Sequence, residues 1–269
     1  MARDLLDDFT CTVFTAAGFT HDVYRAGSGP AVIVIAELPG VTPRVADFAR
    51  VVVEHGFTAW MPSLFGRDGM PANLGEYLRS VPKACVSREF AAFATNTTSP
   101  VTRWLRALAA HAHDECGGPG VGAVGMCFTG GFARGMMVDE IMIAPVLSQP
   151  SLPIGLTKQS RASLHLAPAD RAAVEARAAA GVCVLGLRFT GDPLCTEDRF
   201  ESLRRLLGDR FIGVEIDSSS GNAFGIGSKA HSVLTEDLVA DDPAHPTAQA
   251  LEQVIDFVRE RLRPPNPPA

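Results

Sequence analysis

The stretch VGAVGMCFTGGFA (residues 121–133) decides the fold of this chain. It begins as a run of small and β-branched apolar residues, which is typical of a buried strand, and continues as a helix after the glycines. Cys127 lies between Gly125 on one side and Gly130 and Gly131 on the other. A nucleophile at the apex of a tight strand–turn–helix connection needs neighbours without bulky side chains. The stretch therefore predicts a reactive Cys127 on such a turn.

Strands and helices alternate on both sides of this turn. Continuous apolar strands are predicted at residues 31–36, 57–62, 182–191 and 211–216, after two shorter strands at 9–15 and 20–25. Helical periodicity is found at residues 42–55, 101–113, 171–180, 197–207 and 247–262. Alternation of this kind, without an internal repeat, predicts a doubly wound, mostly parallel α/β sheet with helices on both faces. We expect residues 1–269 to form a single domain of this class.

Three segments are less regular than the rest. Residues 66–100 are rich in Arg, Pro and Asn, with one helix expected at 86–94. Residues 141–170 hold proline between apolar pieces and are expected to form a strand followed by a surface loop, with a cap or lid at about 144–168. The proline-rich tail at 264–269 is expected to be frayed.

Composition narrows the classes of protein that the chain can represent. The 269 residues are 46% hydrophobic, 20% charged and carry a net charge of −6, with no basic stripe. A nucleic-acid-binding protein is therefore not expected. The N-terminal MARDLLDDFT has no signal-peptide pattern and no run is apolar enough to span a membrane, so we expect no membrane association and a cytoplasmic location. The six cysteines show no Cys-x-x-Cys pair, and most are expected to be reduced core residues.

A cysteine nucleophile needs a base, and that base needs a carboxylate to orient it. His231 follows a long polar loop after the last predicted strand, which favours it over His165 and His245. Asp192 directly follows the strand at 182–191, although Gly-Asp-Pro is also a common turn sequence. The order nucleophile, acid, histidine is the one expected for an α/β-hydrolase.

Glu37 is a further candidate. It directly follows a buried strand, and burying a carboxylate costs free energy unless the carboxylate has partners. The loop that carries it also supplies an oxyanion-binding amide in this fold class. The second such amide is expected from Phe128, the residue after the nucleophile. An exposed helix-capping role for Glu37 is the alternative.

These blocks together resemble the dienelactone hydrolase (carboxymethylenebutenolidase) family of the α/β-hydrolase superfamily. The resemblance rests on AVIVIAELPGV around Glu37, VGAVGMCFTGGFA around Cys127, FTGDPLC around Asp192 and AHS at His231. It implies hydrolysis of a small ester or lactone through a Cys–His–Asp triad and an acyl-enzyme, with Glu37 contacting the resting thiol. It also implies oxyanion-hole amides from Leu38 and Phe128. The implied mechanism requires neither a metal nor an organic cofactor.

The chain departs from the family where the substrate carboxylate is bound. The family has an arginine four residues after the catalytic histidine, and this chain has Thr235. The resemblance leaves Arg79, Arg88 and Ser232 as candidates for substrate binding. The expected partner is a small ester or lactone, and the expected assembly is a monomer or weak homodimer.

Three other interpretations remain open from the sequence. The chain could be a thiol acyltransferase that uses the same turn, or a non-catalytic relative that binds a small molecule. It could also be a redox sensor, in which Cys127 would need a second cysteine such as Cys195 close by.

Overall fold

The computed structural model describes residues 3–86, 98–151, 162–164 and 166–262. Several predictions concern residues outside these ranges: the expected helix at 86–94 apart from Val86, the substrate-binding candidate Arg88, residues 152–161 of the expected lid, His165, and the expected frayed tail. In the described part of the chain, eight strands form one sheet in the order β1-β2-β4-β3-β5-β6-β7-β8. The pairs β1–β2 and β2–β4 are antiparallel, and all the other pairs are parallel. The expected doubly wound, mostly parallel α/β-hydrolase sheet is thus confirmed.

The strands are β1 (Thr10–Ala16), β2 (Phe19–Gly27), β3 (Ala31–Ile35), β4 (Thr58–Pro62), β5 (Val121–Met126), β6 (Met142–Ser148), β7 (Val184–Phe189) and β8 (Phe211–Ile216). The main helices are α1 (Pro43–Glu54), α2 (Leu74–Val86), α3 (Pro100–Cys116), α4 (Gly130–Met136), α5 (Pro168–Ala179), α6 (Glu197–Leu207) and α7 (Pro246–Leu262). Strands β3, β4, β5 and β7 are buried along their whole length, as their continuous apolar sequences predict.

Helices cover both faces of the sheet. One apolar core includes Phe48 of α1 and Val254 of α7, packed against residues such as Val34. The other core includes Trp104 of α3 and Phe200 of α6, packed on the opposite face. Because apolar side chains of the central strands alternate between these two cores, both faces of the sheet are removed from water.

Two expectations about the irregular segments need correction. Residues 66–100 include α2, which begins twelve residues before the helix expected there. The expected cap was placed from residue 144, but residues 144–148 belong to the buried strand β6. A strand was expected at the start of residues 141–170, but it extends past the expected start of the cap because Pro145 lies within it rather than ending it.

Candidate active site

The ends of four parallel strands place the candidate residues side by side. Ile35 of β3 pairs with Gly125 of β5, so the residues two positions on, Glu37 and Cys127, follow their strands at the same level. Met126 of β5 pairs with Ser148 at the end of β6, and Ser148 pairs with Leu187 of β7. Ligands of open α/β sheets bind at this carboxyl edge. The strand register alone therefore gathers the loops after β3, β5, β6 and β7.

The turn at Cys127 has the strained geometry of a nucleophile elbow. Cys127 has φ +54°, in the left-handed region that residues other than glycine rarely adopt. A Cβ on Gly125 would lie 2.5 Å from the carbonyl oxygen of Thr129, and one on Gly130 would lie 2.9 Å from Pro150 Cβ. These contacts explain why glycine is needed at both positions.

Thr129 occupies the position where the pattern Gly-x-nucleophile-x-Gly has its second glycine. Its hydroxyl accepts the N–H of Met126 at 2.9 Å and lies 2.9 Å from the carbonyl oxygens of Ile35 and Met126. Thr129 thereby links the turn to the neighbouring strand β3. Thr129 was not among the predicted site residues, although a threonine in place of the second glycine of the pattern is visible in the sequence.

Asp192 and His231 form a close pair. His231 Nδ1 lies 2.7 Å from Asp192 Oδ2, and Asp192 Oδ1 accepts the N–H of Leu194 at 2.8 Å. The backbone N–H groups of His231 and Ser232 both donate to Asp237 Oδ2 at 2.9 Å. The imidazole is therefore oriented by Asp192, and its backbone is anchored by Asp237.

Cys127, His231 and Glu37 converge beside this pair. The Cys127 Sγ, one ring nitrogen of His231 and one carboxylate oxygen of Glu37 all lie within 4.8 Å of one another. Because Asp192 takes His231 Nδ1, the nitrogen that faces the thiol is Nε2. Burial lowers the pKa of His231, but the negative charges of Cys127 and Asp192 and their hydrogen bonds outweigh burial and raise it. These neighbours thus favour the imidazolium form of His231.

Glu37 is buried and accepts hydrogen bonds from three neutral donors. Its Oε2 accepts Gln149 Nε2 at 3.1 Å and the Ser232 hydroxyl at 2.8 Å, and its Oε1 accepts the Thr235 hydroxyl. Burial raises the pKa of Glu37, and the donors and the charge of His231 offset only part of that rise. The expected alternative, an exposed capping role, is wrong, because Glu37 is only 3% exposed.

Thr235 and Ser232 both donate their hydroxyl groups to Glu37. Thr235 is buried, and its hydroxyl is directed to Glu37, in the position where the resemblance implies an arginine for the substrate. Ser232, predicted to bind substrate, also uses its hydroxyl on Glu37. Its role in substrate binding stays a prediction.

The loop after β6 supplies two residues that the sequence analysis missed. Gln149 has φ +35° and is fully buried, with its amide on Glu37. Ser151 Oγ lies 3.1 Å from Cys127 Sγ, and its N–H donates to the carbonyl of Cys127 at 3.0 Å. Only the pairing of β5 with β6 brings these residues to the thiol, and the sequence carries no motif for them.

Helix α2 contributes Tyr77 to the surroundings of the site. Burial raises the pKa of Tyr77, and the negative charges of Glu37 and Cys127 raise it further, which places the phenol near both. The Ser80 hydroxyl donates to the Pro39 carbonyl at 2.9 Å and fixes α2 to the loop after β3. Arg79 lies on the same helix with an exposed side chain. Its predicted contact with substrate stays a prediction.

Leu38 and Phe128, the predicted oxyanion-hole residues, directly follow Glu37 and Cys127, and both are buried. Cys195 is buried completely, and burial raises the pKa of its thiol. A protonated, inaccessible thiol is a poor second partner for a redox pair. This placement weighs against the redox interpretation.

The fold and the site together define a class of protein, and comparison with known sequences identifies it. The profile of the dienelactone hydrolase family matches residues 18–262. The chain belongs to this family, as the resemblance predicted, and membership supports hydrolysis of an ester or lactone as the reaction class. None of the curated protein sequences that were compared matches the chain.

Solved structures share the fold at low sequence identity. A dienelactone hydrolase-like promiscuous phosphotriesterase, P91, from metagenomic libraries is 16% identical with a TM-score of 0.61, covering 95% of this chain and 98% of its own. A cold-adapted esterase from an Arctic intertidal metagenomic library is 14% identical with a TM-score of 0.57, covering 94% and 93%. TT1662 from Thermus thermophilus is 15% identical with a TM-score of 0.56, covering 94% and 97%. At these identities the likeness concerns the fold.

The helices in the described part of the chain are too short or too polar for any of them to cross a bilayer.

Proposed function

We propose that the protein hydrolyses a small carboxylic ester or lactone, with Cys127 as nucleophile, His231 as acid and base, and Asp192 as its orienting partner. The observation that carries the proposal is the 2.7 Å contact between His231 Nδ1 and Asp192, which directs the other ring nitrogen to the Cys127 thiol. Family membership supports the same reaction class.

The reaction begins with attack of the Cys127 thiolate on the carbonyl carbon. The carbonyl oxygen becomes an oxyanion, for which we assign the amides of Leu38 and Phe128. Each such donor contributes about 3 kcal/mol to barrier lowering. The oxyanion collapses, the C–O bond to the alcohol breaks, and the imidazolium of His231 gives its proton to the leaving alkoxide.

The second half regenerates the thiolate. Neutral His231 takes a proton from water, the resulting hydroxide attacks the thioester carbon, and the C–S bond breaks. The carboxylic acid leaves, and the thiolate–imidazolium pair is restored. The raised pKa of Glu37 makes it a stronger base than an exposed carboxylate, which suits a part in forming the thiolate.

We further propose that the preferred substrate is uncharged. The Thr235 hydroxyl is directed to Glu37, and a neutral side chain in this position offers no charge to a substrate carboxylate. Burial raises the pKa of Glu236, and the charge of Glu37 raises it further, although Arg44 lowers it. Glu236 therefore adds a second carboxyl group to this side of the site. An anionic ester is therefore expected to react more slowly than a neutral one of the same leaving group.

The test is hydrolysis of p-nitrophenyl acetate and of a neutral enol lactone by the native chain and by Cys127→Ala. We expect turnover and a thioester adduct on Cys127 by mass spectrometry in the native chain, and neither in the variant. Cys183→Ala, which changes another partly buried thiol, is the matched control and should keep full activity. Undiminished turnover in Cys127→Ala would exclude the mechanism, and no turnover with any activated ester would favour the non-catalytic alternative. Addition of an amine or alcohol acceptor tests for acyl transfer.

A further inference from the structure

The groups proposed to act in hydrolysis also form a set of metal ligands. Glu37, Cys127 and His231 offer oxygen, sulfur and nitrogen within 4.8 Å of one another. Zinc prefers these atoms at about 2.0–2.3 Å, which places tetrahedral ligands about 3.5 Å apart. Closing the three side chains by about 1 Å brings them into that range. Within the residues that the structure describes, no second group of three such side chains lies as close together.

His231 is already arranged as a metal-binding histidine. Its Nδ1 pairs with Asp192 Oδ2 at 2.7 Å, and its buried Nε2 faces the Cys127 thiol without a nitrogen or oxygen partner among the described residues. A metal-bound histidine usually gives its other ring N–H to a carboxylate, because this fixes the ring and makes the ligand nitrogen more basic. Asp192 supplies that carboxylate.

The charge and hydrogen bonding of Glu37 also suit a cation. Gln149 and Ser232 occupy its Oε2, while Thr235 is the single donor to Oε1. A carboxylate oxygen accepts two partners, so Oε1 keeps one position for a metal. The carboxylate is buried without a directly bonded cation among the described residues, and a divalent ion would compensate its charge.

We propose that Glu37, Cys127 and His231 bind one zinc ion and that the zinc-bound protein is inactive as a hydrolase. Binding forms a sulfur–zinc bond with the Cys127 thiolate and a nitrogen–zinc bond with His231 Nε2, and the Nε2 proton of the imidazolium is released to solvent. The nucleophile and the base are then both unavailable. The loss of hydrolysis rests on the proposed function, whereas the binding of the metal does not.

The test uses cobalt as a spectroscopic probe and zinc as an inhibitor of the full chain. Titration with Co²⁺ should give one equivalent bound and a thiolate-to-cobalt charge-transfer band in the near ultraviolet. Titration with Zn²⁺ should displace the cobalt band and reduce p-nitrophenyl acetate hydrolysis at least tenfold at saturation, with recovery on adding a chelator. Binding should release protons, so the apparent affinity should rise with pH.

Variants separate this site from other thiols and histidines. Cys127→Ser keeps the shape of the side chain and should lose the charge-transfer band, and Glu37→Gln should weaken cobalt binding at least tenfold. Cys183→Ser and the surface variant His111→Gln are matched controls that should bind cobalt as the native chain does. A band that persists in Cys127→Ser, or its absence in the native chain at millimolar cobalt, overturns the proposal. Activation of hydrolysis by zinc also overturns it.

The two proposals fail in different ways. If no ester is hydrolysed but the Cys127-dependent cobalt band forms, the proposed function fails and the metal site stands. If esters are hydrolysed and zinc neither binds nor inhibits, only the metal site fails.

Discussion

The protonation state of His231 is set by Cys127 and Asp192, which follow two different strands. Asp192 follows β7, Cys127 follows β5, and Asp237 anchors the backbone of the histidine within its own loop. The polar neighbours raise its pKa against the effect of burial, so the imidazolium persists to higher pH than in an exposed histidine. The protonated form is thus present below the ordinary value near 6.5 and is lost only as the pH rises through the higher folded value.

Asp192→Asn tests this coupling directly. The amide removes both the charge and the hydrogen-bond acceptor, so the titration midpoint of His231 should fall, and kcat/KM for p-nitrophenyl acetate should fall by a factor of about 10² to 10⁴. The midpoint is measured by NMR of the histidine ring across pH 5–11. Asp217→Asn, an exposed aspartate after β8, is the control and should leave both quantities unchanged. A native midpoint near 6.5 would contradict the assigned ion pair.

Thr235→Val tests the hydrogen bonding of Glu37. The variant keeps the side-chain shape but leaves the buried carboxylate without one of its three donors, which should cost about 1–3 kcal/mol in the free energy of unfolding. The pKa of Glu37 should rise further, because the Thr235 hydroxyl lowers it in the native chain. Urea unfolding at pH 7 measures the loss. Thr20→Val removes an exposed hydroxyl bonded to Thr15 and should change stability by less than about 0.5 kcal/mol. If both variants lost the same free energy of unfolding, the burial of the Glu37 carboxylate would not explain the effect of Thr235→Val.

At the scale of elements, the connection from β5 through Cys127 to α4 depends on close backbone approach. Gly125→Ala places a methyl group 2.5 Å from the Thr129 carbonyl, which must move because both atoms belong to a packed turn. We expect a loss of about 1–3 kcal/mol or more and strongly reduced hydrolysis. Thermal unfolding and activity are the measurements.

The control for Gly125→Ala is Gly227→Ala. A Cβ on Gly227 meets no atom within 4 Å, and this glycine does not need a left-handed backbone. Its replacement should be neutral or slightly stabilising, since alanine restricts the unfolded chain. A Gly125→Ala variant as stable and active as this control would show that the turn tolerates a side chain.

The individual elements were largely predictable because their sequence patterns are local. Helix α6 and strand β8 have the predicted bounds, and α1 differs from the expected 42–55 only at its capping residues. Helix α2 was missed because its apolar positions include the exposed Leu74 and Leu78, which weakens the contrast between its faces. Strand β6 was expected within residues 141–170, but its boundary with the cap was misplaced because Pro145 lies inside this central strand instead of at an edge.

At the scale of the whole molecule, the site depends on the complete sheet, because its residues come from loops between Glu37 and Asp237. Cys195 reports on the integrity of that fold, since it is completely buried in the core formed with α3 and α6. If residues 1–269 unfold as one domain, alkylation of Cys195 should begin only within the global transition in guanidinium chloride.

Alkylation followed by mass spectrometry of each peptide measures this protection. Cys11, exposed on β1, should react without denaturant and provides the internal comparison. Cys195 should be modified with the same midpoint as the loss of helical circular dichroism. Modification of Cys195 well below that midpoint would show that the region around α6 opens separately, contrary to the predicted single domain.

The sequence by itself determined the sheet, the strand–turn–helix at Cys127, and the candidates Asp192, His231 and Glu37. Each of these follows from a pattern of neighbouring residues: apolar runs, glycines at a tight turn, and carboxylates directly after buried strands. Only the tertiary structure decided that Thr235 serves Glu37, and that Gln149 and Ser151 join the site. Their positions depend on which strands pair and in what register, and on a left-handed residue at the end of β6. Such distances are fixed by packing between segments far apart in the chain, and no local pattern records them.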